Sequence, residues 1–137
     1  NVGDIEAETA GKGALDGIVH STVAAMQALG AEPRRIVAVV GPCIAQASYE
    51  VGADFEERFD HHDPGSARFF APGESAEKRL FDLPAFVLWR LEQAGVADAA
   101  WTGEDTRTDA PRFYSNRRAY LNGEPDFGRL MSAISLG

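Results

Sequence analysis

The apolar positions near the start of the chain recur at spacings of three and four residues. This pattern predicts an amphipathic helix whose apolar face is formed by Leu15, Ile18, Val19, Thr22, Val23, Met26 and Leu29. Gly30 is a natural end for such a helix. Residues 36–40 then form a β-branched run without polar alternation, which predicts a short strand covered on both faces.

Further elements are expected in the rest of the chain. A short helix is expected at residues 50–59, followed by a long surface loop rich in Pro, Gly and Ser at residues 60–77. A second amphipathic helix is predicted before Gly95, with Asp82 as its N-cap and Pro84 in its first turn. Residues 113–120 and 130–136 are both predicted to be strands, separated by turn-forming residues. Helices mixed with a buried strand indicate a single layered domain of the α/β or α+β class.

Composition restricts the possible classes of protein. The 137 residues fit one domain, and 45% hydrophobic with 25% charged residues is a globular balance. A net charge of −8 argues against nucleic-acid binding, because no basic field is present to neutralise phosphates. No long apolar span or signal-peptide pattern is visible, and a single cysteine forms no internal disulfide. We therefore expect a soluble protein without a membrane partner, compatible with the cytoplasm.

The only cysteine, Cys43, follows the predicted strand in a turn that begins with Gly41 and Pro42. Residues in such turns often face ligands. Free cysteine is nevertheless among the most buried residue types, and no histidine or lysine near it in sequence would lower its pKa. A packed turn residue is therefore favoured over a nucleophile, and a cysteine hydrolase remains the weaker hypothesis.

The three histidines do not have the spacing of a metal site. His61 and His62 are adjacent and flanked by Asp60 and Asp63, which favours a solvated acidic turn. His20 falls on or near the polar side of the first predicted helix, where exposure is expected.

Two arginines are the main candidates for anion binding. Arg117 and Arg118 follow Ser115 in an otherwise acidic chain, and a guanidinium group binds phosphate or carboxylate through a planar fork. If this segment is a strand, the two side chains point to opposite faces, so at most one faces a given pocket. Surface ion pairing is an equally good explanation, and Arg129 is a possible third member of an anion site.

Three stretches resemble one family: KGALDGIVHSTVAAM, then GPCIAQASYEVG, then DTRTDAPRFYSNRR continuing to GEPDFGRLMSAISL. They are similar to the C-terminal portion of the multicopper polyphenol oxidases of the laccase-domain type. The similarity is collinear from about Gly11 to the end of the chain, and its order together with the FYSxRR and GRxxSAI elements argues against a chance similarity.

The resemblance implies a fold and an activity. Members of this family are regarded mainly as zinc-dependent purine nucleoside enzymes, which carry out phosphorolysis of adenosine, inosine or guanosine and also adenosine deamination. Their fold is α+β, with mixed sheets sandwiched by helices, and is similar to that of bacterial cysteine-hydrolase toxins. The implied partners are a purine nucleoside and phosphate.

Candidate roles follow for residues of this chain. Lys12, Arg117 and Arg118 are the anion-binding candidates, with Ser115 beside them. Gly41 and Pro42 would shape the pocket wall next to Cys43. Glu50 or Asp105 would contact a ribose hydroxyl or hold an arginine in place.

The chain departs from the family at the metal site. Members bind zinc through two histidines and an upstream cysteine, whereas Thr9 stands at the apparent position of one histidine and the other ligands are absent. A catalytic zinc site needs three protein ligands, so these residues alone do not assemble it. A degenerate member, a fragment, or segments joined by a break between Asp4 and Lys12 would each explain this, and an incomplete chain is favoured. A copper oxidase and a non-catalytic scaffold remain the alternatives, although three scattered histidines argue against copper chemistry.

Overall fold

The fold is built from short helices and strands in mixed order. The structure, a computed structural model, describes Gly13 and residues 17–135. Within these residues the helices are Ile18–Ala28 (α1), Ala53–His62 (α2), Leu83–Gln93 (α3) and Asn116–Leu121 (α4). The strands are Val37–Val40 (β1), Glu50–Gly52 (β2), Phe70–Pro72 (β3), Lys78–Phe81 (β4) and Asp98–Trp101 (β5). This arrangement confirms the α+β class.

An antiparallel sheet of order β2-β4-β3 carries the main core of the described residues. Glu50 pairs with Leu80 on one side of β4, and Phe70 pairs with Phe81 on the other. Aromatic side chains fill the space between this sheet, α2 and α3, and the fully buried rings are those of Tyr49, Phe59, Phe81 and Phe86. The rings of Phe59 and Phe81 lie 4.9 Å apart in an edge-to-face arrangement, which is a favourable geometry for aromatic packing.

A second, parallel sheet is formed by β1 and β5. In its register Val37 lies opposite Asp98, and Val40 lies opposite Trp101. The helix α3 packs against both strands, and α1 packs against α3. This places the end of β1 close to the loop that follows β5, where the backbone N–H of Thr102 donates to the carbonyl of Val40 at 3.0 Å.

Two helices form where the apolar pattern predicts them. The first ends before Gly30, whose φ of 97° requires a residue without a Cβ. The helix α3 is capped by Asp82, whose carboxylate accepts from the backbone N–H of Ala85 at 3.0 Å, and Pro84 lies in the first turn as expected. A helix is also confirmed after residue 50, although it begins at Ala53 because residues 50–52 pair in β2.

Two of the predicted strands are wrong. Residues 116–121 are helical because the Ser115 side chain accepts from the backbone N–H of Arg118 at 3.3 Å, and the residues that follow are mostly good helix formers. Residues 130–135 adopt no strand, since no described segment pairs with them and a strand needs a neighbour for its backbone groups.

Three further predictions need correction. Among residues 13 and 17–135 the strand β1 is covered on one face only, because α3 lies on that face while Val37 and Val39 are 68% and 65% exposed on the other. Residues 60–77 are not one long loop: α2 extends into them and β3 pairs with β4, because the apolar Phe69 and Phe70 join the aromatic core. His20 is half-buried on α1 rather than exposed, with its Nδ1 shielded from solvent. No helix of the described residues is long and apolar enough to cross a membrane.

Candidate functional site

A cavity of about 340 Å³ lies where three segments meet. Most of its wall is supplied by residues 42–44 after β1, by residues 114–117 and Tyr120 around the start of α4, and by residues 127–130. Tyr49, Leu83 and Thr106 complete the lining. The volume falls within the range of small-molecule sites, which are mostly apolar with a few convergent polar groups.

The side chain of Arg117 is placed at this cavity by the helix that the sequence pattern missed. Because Ser115 caps α4, Arg117 lies in the first turn and its guanidinium sits 5.8 Å from the centre of the Tyr49 ring. Stacking on an aromatic face holds a guanidinium in place while its N–H groups remain able to donate. Arg117 is therefore a half-buried cation at the wall of the cavity.

The neighbouring Arg118 points into the protein. Its Nη1 donates to the carbonyls of Thr106 and Arg107 at 2.8 and 3.0 Å, and its Nη2 donates to the carbonyl of Phe113 at 2.6 Å. These bonds tie the start of α4 to the loop after β5. Consecutive helical residues lie about 100° apart around the axis, so one arginine can face the cavity while the other holds the backbone.

Asp105 also holds the backbone of the cavity wall. Its carboxylate accepts from the backbone N–H groups of Ala45 and Arg107 at 3.3 and 2.9 Å and from the hydroxyl of Ser48. An isolated parallel bridge joins Cys43 to the same aspartate. The turn after β1 is therefore fixed to the loop after β5 by one side chain and by the backbone.

The surroundings of Cys43 suppress its ionisation. Burial first, and then the negative charges of Asp105 and Asp82, raise the pKa of the Cys43 thiol to about 11. A nucleophilic cysteine needs the thiolate at working pH, and burial and the two carboxylates disfavour the thiolate here. This supports the packed turn residue and argues against a cysteine hydrolase.

Cys43 should react slowly with alkylating reagents in the folded protein. With a pKa of about 11, only about one thiol in a thousand is ionised at pH 8, compared with about one in four for an ordinary thiol of pKa near 8.5. We expect the iodoacetamide reaction at pH 8 to be roughly a hundredfold slower than in urea-unfolded chain, and to accelerate as the pH approaches 11. Fast alkylation of the folded protein at pH 7 would revive the nucleophile hypothesis.

Gly128 is packed directly against Tyr114 in the cavity wall. A Cβ at this position would lie 2.3 to 2.5 Å from three atoms of the tyrosine ring, a distance that side chains do not tolerate. The glycine therefore lets the segment 127–130 cross the face of the ring.

The substitution Gly128→Ala should lower the free energy of unfolding by about 1 to 2 kcal/mol, because the new methyl group displaces Tyr114 or the backbone. In a Tyr114→Ala background the same substitution should lower the free energy of unfolding much less, because the ring that clashes with the new methyl group is absent. Chemical denaturation of the four proteins measures both values. An equal loss of unfolding free energy in the two backgrounds would show that Gly128 is not packed against the Tyr114 ring.

The candidate residues divide between the cavity and its supports. Pro42, Cys43, Ser115 and Arg117 line the cavity, and Arg129 lines it on the opposite segment. Gly41 lies just before the lining residues, where a Cβ would be 3.3 Å from the hydroxyl of Ser132.

The other candidates lie elsewhere. Arg118 and Asp105 support the wall, and the Glu50 carboxylate accepts from the backbone N–H of Glu74 at 3.1 Å, away from the cavity. Lys12, and the position between Asp4 and Lys12 where a chain break is expected, lie outside the described residues.

Sequence reasoning missed the aromatic part of the wall. Tyr49, Tyr114, Tyr120 and Phe127 all line the cavity. One signal was available, because Arg117 and Tyr120 are spaced i, i+3 and share a helix face. This spacing indicates a shared face only if the segment is a helix, and the sequence pattern predicted a strand there.

The described residues do not provide a metal site. No group of three or more His, Cys, Asp or Glu side chains among them is arranged to hold an ion. None of the three histidines lines the cavity, since His20 lies on α1 and both others lie at the exposed end of α2. The only cysteine of the chain, Cys43, lines the cavity, but its raised pKa keeps the thiol protonated. These residues therefore do not fit the zinc or copper that the family resemblance and the older oxidase name suggest.

Both a family model and curated relatives match most of this chain. The model of a family described as multi-copper polyphenol oxidoreductase laccase matches residues 9–137. The purine nucleoside phosphorylase of Rickettsia conorii is 37% identical over 123 residues, which are 90% of this chain and 50% of that protein. That of Deinococcus radiodurans is 39% identical over 125 residues, covering 91% and 46%. The chain thus spans about half the length of the curated relatives it matches.

Solved structures show the same fold. A protein of Neisseria meningitidis superposes with a TM-score of 0.70 at 29% identity, covering 79% of this chain and 43% of that protein. The Bacillus licheniformis hypothetical protein YfiH gives a TM-score of 0.71 at 23% identity, covering 80% and 42%. In both cases more than half of the neighbour's chain lies outside the superposed region.

Proposed function

The chain belongs to the multi-copper polyphenol oxidoreductase laccase family, and we propose that it forms the substrate-binding wall of a purine nucleoside phosphorylase. In this proposal the substrates are a purine nucleoside and phosphate. The remaining catalytic groups come from a part of the family domain that these 137 residues do not span.

The position of Arg117 is the observation that carries the proposal. It brings a fixed positive charge to a cavity in a chain of net charge −8, beside the rings of Tyr49 and Tyr120. Phosphate is recognised by a guanidinium fork, and a purine is recognised by stacking on aromatic side chains. A cavity that combines two arginines with several aromatic rings suits a ligand pair of this kind.

The chemistry of phosphorolysis assigns roles to these groups. A phosphate oxygen bonds to C1′ of the ribose while the bond from C1′ to the purine nitrogen breaks, and the purine leaves with the electron pair and takes up a proton. Arg117, with Arg129 on the opposite segment, would offset the charge of the phosphate and orient it. Tyr114, Tyr120 and Phe127 would hold the base. No step is assigned to a metal, because the described residues do not fit one.

A non-catalytic scaffold is the second candidate. It is favoured by one observation, the lack of any metal-binding cluster among residues 13 and 17–135. A polyphenol oxidase has less support, since no histidine lies at the cavity and copper oxidases need several.

The deciding experiment is an assay on the product of the complete gene. Adenosine, inosine and guanosine are each incubated with phosphate, first with zinc supplied and then after chelation, and free purine base is measured by chromatography. We expect phosphate-dependent release of the base together with a ribose phosphate. Release without phosphate would indicate hydrolysis instead. No turnover under any metal condition would support the scaffold, and oxidation of a phenolic substrate would support the oxidase.

A further inference from the structure

A second cavity, of about 680 Å³, runs along α3 and shares no lining residue with the first. Its helical wall is formed by Ala85, Leu88, Trp89 and Glu92, whose spacing of three and four residues places them on one helix face. Residues 95–97, which follow the helix, also line it. The second cavity is therefore a separate site, larger than the first and lined mostly by apolar residues.

The turn that ends α3 fixes one side of the second cavity. Gly95 has a φ of 88°, and the backbone N–H of Val96 donates to the carbonyl of Leu91 at 3.0 Å. A helix that ends on a left-handed glycine in this way brings the next apolar residue back against its last turn. Val96 is accordingly only 3% exposed, so this part of the lining is formed without a ligand.

The guanidinium of Arg68 lies over two aromatic rings of this lining. Its central carbon is 4.7 Å from the centre of the Trp89 ring and 4.8 Å from that of the Phe69 ring. The two rings are 5.2 Å apart, and both pack against Phe86 in the aromatic core. Rings that are held in this way restrict the guanidinium while its N–H groups remain able to donate. Arg68 is therefore a positioned cation at the second cavity.

Arg68 has no anionic partner within residues 17–135. Arg58, Arg79 and Arg90 each form an ion pair with a carboxylate and Arg118 donates to backbone carbonyls, whereas neither kind of contact forms at Arg68. A guanidinium presents five N–H donors and binds a carboxylate through two parallel hydrogen bonds. The second cavity thus offers donors for an anion that the described part of the chain does not supply.

The other charged side chain of this lining limits which anion fits. Glu92 is exposed, and it pairs with no cation of the described residues. Its negative charge repels a bound anion, and the repulsion grows with the charge of that anion. A singly charged carboxylate is therefore favoured over phosphate, and the rings of Phe69 and Trp89 favour an aromatic body.

We propose that the second cavity binds a small aromatic carboxylate. The carboxylate accepts from the N–H groups of Arg68, and the aromatic body lies against Trp89 and Leu88, in a volume suited to small molecules. This site is independent of the proposed activity, because the two cavities share no lining residue. Failure of the phosphorolysis assay would leave it untouched.

The test titrates the isotope-labelled product of the complete gene with phenylacetate and follows its backbone amide signals by NMR. The signals of residues 68–69, 88–92 and 95–97 should shift and saturate, while those of residues 115–117 in the first cavity stay in place. The neutral analogue phenylacetamide should bind roughly tenfold more weakly, because it does not replace the charged bond to Arg68. Inorganic phosphate alone should cause no saturating shift at these residues.

Three results of this titration would overturn the proposal. The first is the absence of a saturating shift at residues 68–69, 88–92 and 95–97. The second is equal affinity for phenylacetate and phenylacetamide. The third is phosphate binding at these residues as tightly as phenylacetate.

Point variants identify the charges that select the ligand. Arg68→Gln should weaken phenylacetate binding roughly tenfold and leave phenylacetamide binding nearly unchanged, because it removes the charge and keeps a donor. Glu92→Gln should tighten phenylacetate binding by about twofold to fivefold, since it removes the repelling charge. Both side chains are exposed, so the melting temperature should change little.

Arg35→Gln is the matched control, since Arg35 is exposed and does not line the second cavity. It should leave phenylacetate binding unchanged. An equal loss for phenylacetate and phenylacetamide in Arg68→Gln would show that the side chain only covers the rings. An equal loss in Arg35→Gln and Arg68→Gln would show a general effect of protein charge, and either result would contradict the site.

Discussion

The substitution Arg118→Ala is expected to lower the free energy of unfolding by about 3 kcal/mol, equivalent to a fall of roughly 10 °C in melting temperature. The side chain supplies three hydrogen bonds to the carbonyls of Thr106, Arg107 and Phe113. Alanine removes all three donors and leaves half-buried carbonyl oxygens without them. Bonds from a charged donor contribute more than neutral ones, so the loss is larger than for an ordinary surface change.

The neighbouring residue provides the control for this prediction. Arg117→Ala should lower the free energy of unfolding by no more than about 1 kcal/mol, because its contact within the described part of the chain is the stacking on Tyr49. The stability loss of Arg118→Lys should lie between those of Arg118→Ala and Arg117→Ala, because a single ammonium group does not reproduce the planar fork of the guanidinium. Urea denaturation of the three variants compares them directly. Similar losses for Arg117→Ala and Arg118→Ala would show that the two arginines do not have separate roles.

The substitution Arg117→Ala is expected to have the largest effect on activity. If Arg117 binds phosphate, its removal should lower kcat/KM for phosphate by roughly 10- to 100-fold, the loss expected for a bond to a charged group. The KM for the nucleoside should change much less. Arg117→Lys should recover part of the loss because it restores the charge without the fork. The measurement is a phosphate titration at saturating nucleoside in the product of the complete gene.

A surface arginine serves as the control for activity. Arg34 is exposed, pairs with Glu32 and does not line the cavity, so Arg34→Ala should leave the phosphate titration unchanged. A loss confined to the nucleoside KM in Arg117→Ala would assign the residue to the base or ribose instead of phosphate. An unchanged kcat/KM for both substrates would remove Arg117 from the binding site.

The apolar pattern predicted α1 and α3 because each has strong local signals. Asp82 and Pro84 mark the start of α3, and Gly30 marks the end of α1. Such signals act through contacts within a few residues, so they predict a helix end without knowledge of the tertiary contacts. The α+β class followed from these elements and from the family resemblance.

The errors fall where distant residues decide the structure. Residues 70–72 look like loop because of their flanking Pro and Gly, but pairing with β4 and burial of Phe70 make them a strand. Residues 130–135 look like strand, but a strand needs a partner. Residues 113–120 were misjudged for a local reason, since aromatic residues outweighed the capping role of Ser115.

The candidate site was predicted in part. The resemblance and the position of Cys43 after a strand led to residues 42 and 43, which line the cavity. At most one arginine was expected to face the pocket, and Arg117 lines the cavity while Arg118 does not. The two side chains diverge because the segment is a helix and not a strand. No sequence pattern showed that Asp105 supports the backbone, because its partners Ala45 and Ser48 are about sixty residues away.

The cavity walls come from residues 42–44 and from residues 127–130, which are separated by more than eighty positions. During synthesis residues 42–44 leave the ribosome long before residues 127–130, so a growing chain has no such cavity until the second group has emerged. A molecule truncated before residue 127 therefore lacks one wall of the cavity, so a ligand that binds there would stabilise longer chains over such truncated ones.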